Sequence, residues 1–442
     1  MFKKRQIPHT YVIVFFFIVL SAALTWVMPG GEYVEVQKEV SGEVQKVMEF
    51  QPAEAQPQTW EVFAAMFKGF ERQAGIIVFI LMIGGAFWIM NDSKAIDVGI
   101  YAFLRMTKKL ERNKFMKRIG VDNIIIAMIM IMFSVFGAVF GMSEETIAFI
   151  IIFVPMAITM GYDSLVGVSM CFVAAGLGFA GAILNPFTIG IAQGLAEIPL
   201  FSGIEYRMFA WLVINAIGIT YVLRYAHKVK KHPEKSIVHE DDKQWRDRTD
   251  EEGIEKLRYH TPKAAWGAFI FLAGVMIAAS IIFPSSVLKV GNSSATLPAI
   301  PIVTGLFIIS SPLFLRKSVH FFILNLLIFT IIFLIVGVMG YGWYIMEIAT
   351  LFFAMGIFAG IAMSKTPNEI TNLFLAGTKD IMSAALIVGL AGGIIAVLED
   401  GKVIDSILHS LASGMNEMGK VASVGVMYVI QNVINIVIPS GS

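Results

Sequence analysis

The sequence predicts an all-α polytopic membrane protein of inverted repeats, with re-entrant hairpins, a broken helix and a truncated second repeat. Three observations predict it. Apolar runs of about twenty residues, the length a helix needs to cross hydrocarbon, recur from one end of the chain to the other. Charged residues are 15% of 442 positions and hydrophobic residues 57%, whereas a soluble domain carries about 25% charged residues. A short segment near residue 84 also returns, in the same order, near residue 392.

The candidate spans are 10–29, 74–91, 120–141, 146–162, 164–184, a short 187–198, 208–226, 265–284, 298–313, 318–338, 341–363, 382–398 and 421–438. Lys3, Lys4 and Arg5 precede the first. That run is longer than a cleavable signal's apolar core and no small-x-small site follows it, so it reads as a retained helix. Residues 30–57 are rich in Glu and Gln, 96–118 read as an amphipathic surface helix, and 227–262 form a charged loop. Basic residues flanking spans face the cytoplasm. The N-terminus, the cluster from Arg105 to Arg118 and the loop after residue 227 all fall on that side with this span count. The expected location is a bacterial inner membrane, with the N-terminus cytoplasmic.

Composition narrows the chemistry. A net charge of +1 gives no reason to expect nucleic acid. The single cysteine, Cys171, allows no intrachain disulfide. The histidines lie near segment ends or in polar stretches, unpaired within apolar runs, so neither a metal nor a haem site is expected.

The repeat is GGAFWIMNDSKAID at 84–97 and GGIIAVLEDGKVID at 392–405, a constant offset of 308 residues that also relates Gly69 to Gly377. Basic residues dominate after the first copy. After the second, Glu399, Asp400, Asp405 and Glu417 stand against Lys402 and Lys420. Opposite charge bias predicts opposite orientation, the arrangement of many secondary transporters. The domain organisation expected is a first repeat over 1–226 (hairpin 120–162, broken helix 164–198), a cytoplasmic loop over 227–262, linking helices over 263–340 and an incomplete second repeat over 341–442. By repeat symmetry roughly 60–80 further residues belong after Ser442.

Three places carry candidate binding residues. Glu144 and Glu145, beside Ser143 and Thr146, are isolated carboxylates between two apolar arms. In a re-entrant hairpin they would sit near mid-membrane, where an ionisable group points to function. Alternatively, Ser143 caps the next helix, the glutamates complement its dipole, and both arms span outright. The second place is Asn185-Pro186-Phe187-Thr188, where Pro186 would unwind a helix and free carbonyls for a cation, or would be a tolerated kink. The third is the terminal Ser440-Gly441-Ser442, preceded by Asn432 and Asn435 in an apolar run.

The set Gly141-Met142-Ser143-Glu144-Glu145-Thr146, Gly161-Tyr162-Asp163-Ser164, Asn185-Pro186-Phe187 and Ile438-Pro439-Ser440-Gly441-Ser442 resembles the YfcC-type branch of the anaerobic C4-dicarboxylate carrier family, in the ion transporter superfamily. The resemblance implies a scaffold-plus-transport-domain fold with two opposed hairpins, commonly a homodimer, working by alternating access. It implies binding residues at the tips (Ser143, Glu144, Glu145; Ser440, Gly441, Ser442) and at Asn185. The implied substrate is a C4-dicarboxylate or a basic amino acid.

The expectation is a secondary active transporter, symporter or exchanger, of a small charged metabolite, with no cofactor and with Na⁺ or H⁺ as candidate coupling ion. Glu144 and Glu145 would repel a dianion unless neutralised and would welcome an amino or guanidinium group. A passive channel is the alternative. A membrane enzyme is the weaker one, since neither His-Glu-x-x-His nor Gly-x-Ser-x-Gly occurs.

Overall fold

The computed structural model describes residues 8–40, 43–99, 102, 120–142, 146–185, 188–189, 192–193, 198, 201–248, 259–290, 293–416 and 418–437. Among these, nine helices are long and apolar enough to cross a membrane: α1 (Thr10–Val27), α3 (Ala74–Asp92), α4 (Val121–Phe140), α6 (Ser164–Gly181), α7 (Ile204–Lys231), α9 (Lys263–Ile282), α11 (Val319–Tyr341), α12 (Ile345–Ala362) and α13 (Pro367–Asp400). Two apolar helices are shorter, α5 (Ile147–Thr159) and α10 (Ala299–Leu315). The polar α2 (Glu61–Arg72) and α8 (Lys243–Arg248), and then α14 (Ile404–Asn416) and α15 (Lys420–Val437), complete the helices used below. The protein is a multi-pass membrane protein. Most of the surface-helix expectation for 96–118, and most of 187–198, lies outside the described residues.

The chain divides into two units, residues 1–81 with 381–441, and residues 82–380. In the first, Ile18 and Ala22 of α1, Ala65 of α2 and Leu390, Ile394, Val397 and Leu398 of α13 form one buried cluster. Its close packing follows from small residues. A Cβ on Gly69 would lie 2.3 Å from both Gly389 O and Gly393 N, and one on Gly393 would lie 2.8 Å from Ala65 O. Lipid provides no hydrophobic drive between helices, so such close backbone contact supplies the dispersion energy that holds them. The exposed faces of α2 and α13 carry the pairs Lys68–Asp400, at 2.6 Å, and Arg72–Glu399.

The acidic 30–57 segment folds as an antiparallel hairpin, β1 (Gly31–Val40) against β2 (Glu43–Pro52), with Gly31 opposite Pro52. The alternation around Val34 and Val36, followed by Ser41-Gly42, is a hairpin pattern in an otherwise helical chain. It docks on the start of α14. Gly31 N donates to Lys402 O (2.8 Å), Tyr33 N donates to Asp405 Oδ2 (3.0 Å), and Phe50 stacks on His409 with centroids 3.9 Å apart. A second, shorter hairpin, β3 (Ser286–Val290) with β4 (Ser293–Leu297), lies in the other unit.

In that second unit aromatic side chains fill the interior. Phe133 meets Phe149 and Phe153 at 5.0 and 5.4 Å, Phe87 meets Phe352 at 5.5 Å, and Phe307 meets Phe329 at 5.1 Å. A buried amide is paired across helices: Asn325 Nδ2 donates to Ser310 Oγ (3.1 Å) and Ser311 Oγ (3.0 Å). Helix α13 begins well before the 382–398 span. Thr366 and Glu369 bond each other reciprocally across its first turn, Thr366 N to Glu369 Oε2 at 2.7 Å and Glu369 N to Thr366 Oγ1 at 3.3 Å, a capping box that starts a polar stretch hydropathy does not detect.

Candidate functional site

The candidate site is built where α4 ends and α6 breaks. Helix α4 stops because Gly141 turns left-handed at φ 69°. Gly141 N then bonds Gly137 O (3.2 Å), and Met142 N bonds Phe136 O (3.4 Å), which closes the last turn. This is the start of the break read from the sequence. Ser143, Glu144 and Glu145 lie outside the described residues. Thr146 is fully buried at the head of α5. Thirteen residues give α5 a length of about 20 Å, short of the ~30 Å hydrocarbon core that the twenty-residue α4 matches.

Helix α6 starts on Asp163, whose Oδ1 accepts Val166 N at 3.0 Å. The other carboxylate oxygen of Asp163 accepts Tyr225 Oη (2.6 Å) and Ser236 Oγ (2.7 Å), and Asp242 Oδ2 accepts Ser164 N (2.8 Å). These two buried aspartates fasten the segment after α7 to the α5–α6 turn. Within α6, residues Ser169–Val173 form a π-helical turn, a feature frequent at functional sites. Beyond it the helix crosses α4 at van der Waals limits: a Cβ on Gly137 would lie 2.2 Å from Ala175 O, and one on Gly178 would lie 1.9 Å from Ser134 O.

The break in α6 comes at Gly181, where Ala182 adopts φ 43°, four residues before the proline expected to cause it. Pro186 lies outside the described residues. After the break Leu184 N donates to Ala138 O (2.9 Å), and Asn185 Nδ2 donates to Gly137 O (3.3 Å). Asn185 Oδ1 accepts Thr188 N (3.3 Å). Asn185 is fully buried, so it ties the broken helix to the last turn of α4, just ahead of the Ser143 break. Thr188 Oγ1 is buried with no partner among the described residues.

The Ala182 and Ile183 carbonyls at the break are already engaged, together with two from the turn before α7. Arg207, in the first turn of α7, donates from Nε to Ala182 O (2.9 Å), from Nη2 to Ile183 O (3.2 Å) and Phe201 O (3.0 Å), and from Nη1 to Ser202 O (2.5 Å). Gln193, buried, joins the far side, with Oε1 accepting Phe201 N (2.5 Å) and Nε2 donating to Ser202 O (3.0 Å). Sequence reading missed Arg207. Its signal was a guanidinium four residues past Gly203, just ahead of the apolar run that begins at Met208.

At the far end of the chain, Asn432 Nδ2 donates to Tyr428 O of its own helix α15 (2.7 Å). Asn435 lies in α15 and its side chain is outside the described residues, as are Ser440, Gly441 and Ser442. Among the described residues no group of three or more His, Cys, Asp or Glu is placed to hold a metal.

A family model described as C4-dicarboxylate anaerobic carrier matches residues 7–308 and 314–442. The chain belongs to that family. It is 29% identical to YfcC of Escherichia coli, provisionally named a basic amino acid antiporter, over the whole of this chain and 81% of that protein. An uncharacterised protein of Haemophilus influenzae is 24% identical over the whole chain and 82% of its own length. Among solved structures, the YdaH transporter of Alcanivorax borkumensis aligns with 97% of this chain and 78% of its own, at 11% identity and TM-score 0.39. MtrF of Neisseria gonorrhoeae, titled as one of a class of antimetabolite efflux pumps, aligns with 99% and 78% at 16% identity and TM-score 0.38. The family is one of transporters, and that much of the functional expectation stands.

Proposed function

We propose that this carrier-family protein is a secondary active transporter of a small charged metabolite, working by alternating access in a bacterial inner membrane with its N-terminus cytoplasmic. The observation that carries the reading is the constellation at the α6 break: Asn185 buried against the end of α4, and beside it the Thr188 hydroxyl, without a partner among the described residues. Interrupted helices meeting near mid-membrane are how transporters expose backbone and polar side chains to a solute without exposing them to lipid. The second tip, Ser440-Gly441-Ser442 with Asn435, is the proposed counterpart of Ser143, Glu144, Glu145 and Thr146. Support for inverted repeats comes from the opposite charge bias after the two copies.

A basic amino acid is the favoured substrate class and a C4-dicarboxylate the second. Two adjacent carboxylates, Glu144 and Glu145, would neutralise a guanidinium or ammonium, and would need Na⁺ or H⁺ beside them to accept a dianion. The name of the E. coli relative points the same way. The protein is further proposed to act as a homodimer.

The test is uptake into proteoliposomes of labelled arginine and labelled succinate, with and without internal unlabelled substrate or a Na⁺ gradient. Arginine accumulating against its gradient supports the exchanger. Flux that only equilibrates supports a passive channel instead. Asn185→Ala removes the bond to Gly137 O and the acceptor of Thr188 N, so initial uptake is expected to fall at least tenfold, about 1.4 kcal/mol. Unchanged uptake in that variant would move the site away from the break.

A further inference from the structure

We propose that Arg207 is a resident cation. Its guanidinium fills a ring of carbonyls drawn from the break in α6 and from the turn before α7, and thereby holds Asn185 and Thr188 in place without an alkali ion at that position. Two of the four acceptors, Ala182 and Ile183, lie at the break, and two, Phe201 and Ser202, lie in the turn that leads into α7. Converging backbone carbonyls from an unwound segment are the usual coordination set for a transported or coupling cation in a membrane. Here the set is matched by one side chain, because the guanidinium offers five N–H donors in a flat fork and an ammonium only three on a point.

A second observation shows that the carbonyls, rather than the helix, hold the charge. Arg207 sits in the first turn of α7, where the helix dipole disfavours a cation. Among the described residues, the hydrogen bonds of Arg207 all go to backbone oxygen. Gln193 reinforces the same side by bonding Phe201 and Ser202. Arg207 is therefore a positioning residue: it ties the break to the turn before α7, and Asn185 and Thr188 follow directly on the tied carbonyls of Ala182 and Ile183.

The test reads cation binding directly and does not depend on which solute is transported, so a negative arginine-uptake result leaves it intact. The whole chain in detergent is heated in choline chloride, NaCl, KCl or choline chloride with millimolar methylguanidinium, all at equal ionic strength. The variants are Arg207→Ala, Arg207→Gln and Arg207→Lys. Arg207→Ala and Arg207→Gln are expected to lose thermal stability in choline. They are expected to recover about 1–2 °C with methylguanidinium at roughly ten times its dissociation constant, a response the wild type lacks. Sodium is expected to give a smaller rescue of the same two variants. Arg207→Lys, which keeps a charge in the ring, is expected to gain no such response. If the neutral variants respond to every salt as the wild type does, or if Arg207→Lys gains the same rescue as Arg207→Gln, the resident-cation assignment is wrong. Arg207→Gln keeps the experiment decisive if Arg207→Ala yields no folded protein.

Discussion

The two copies of the repeated turn, at 84–97 and 392–405, share a backbone and differ in what they hold. In both, a lysine at the end of a long helix turns left-handed, Lys94 at φ 57° and Lys402 at φ 55°. Each is closed by the same bond, Lys94 N to Asn91 O (2.9 Å) and Lys402 N to Glu399 O (2.8 Å). A non-glycine residue in that region is strained, so finding it twice at the same repeat position marks a turn set by the repeated sequence. The charges then diverge. In the first copy Lys94 pairs within its own turn with Asp97 (3.6 Å), while Asp92 takes Lys365 (2.7 Å). In the second, Lys402 reaches Glu32 (2.9 Å) and Asp405 takes the Tyr33 amide, so this turn anchors the N-terminal hairpin. The turn is the same in both segments, and the acids and lysines of each pair with whichever segment lies beside them.

The repeat also reappears in the packing. Gly69 lies against Gly392 and Gly393, and Gly377, its equivalent, lies against Gly84, with a Cβ there 2.5 Å from Gly84 O and 2.4 Å from Trp88 Cβ. The largest expected effect follows. Gly69→Leu and Gly377→Leu should each cost at least about 3 kcal/mol, the upper end for overpacking, and should lower folded yield to a similar extent. Size-exclusion profiles of the two variants in detergent check this. Tolerance at one position with collapse at the other would break the equivalence.

A smaller effect separates the two aspartates. Asp405→Ala removes a charge-assisted bond to a backbone amide, about 1.5–3 kcal/mol, and should release the hairpin, read as faster limited proteolysis between residues 31 and 52. Asp97 behaves oppositely. Burial raises its carboxyl above the usual range, with Lys94 only partly opposing. The folded state therefore binds the proton more tightly than the unfolded one, and stability falls as pH rises from about 4 through the raised value. Asp97→Asn removes that penalty, so its melting temperature should exceed the wild type's at pH 7 and the difference should shrink toward pH 4. A difference independent of pH would show that Asp97 does not ionise in that window.

The smallest effect sharpens the comparison from outside. Lys68–Asp400 and Arg72–Glu399 are exposed pairs, with side chains 36–46% accessible. Lys68→Ala and Arg72→Ala should each cost no more than about 1 kcal/mol in thermal melts.

The spanning helices were legible because lipid demands long apolar runs, and the α4 break was legible because Gly141 ends a run with a left-handed residue. Helix α2 was not, since Glu61, Lys68, Glu71 and Arg72 give it a charged face and hide it from a search for apolar length. The hairpin at 31–52 was hidden for a related reason: its acidic composition drew attention to charge and away from its period of two. At the site, Asn185 stood out as an amide in an apolar stretch. Arg207 did not, because a cation near a span end reads as an orientation signal, and only the fold brings the Ala182 and Phe201 carbonyls to it. Pro186 looked like the cause of the break, yet the chain has already left the helix at Ala182.

The π-helical turn at Ser169–Val173 has a consequence for how this region tolerates changes in length. A π turn is an α-helix holding one surplus residue. Deleting a residue there would return the segment to regular α-helix and leave both flanks in register: Asp163 still at the start, Gly178 still on Ser134. A deletion a few positions further on, past Ala174, would rotate the flank by about 100° and turn Gly178 off its partner. Gaps between this chain and its relatives within α6 should therefore gather at the π turn, and a one-residue gap there would record no change in the crossing itself.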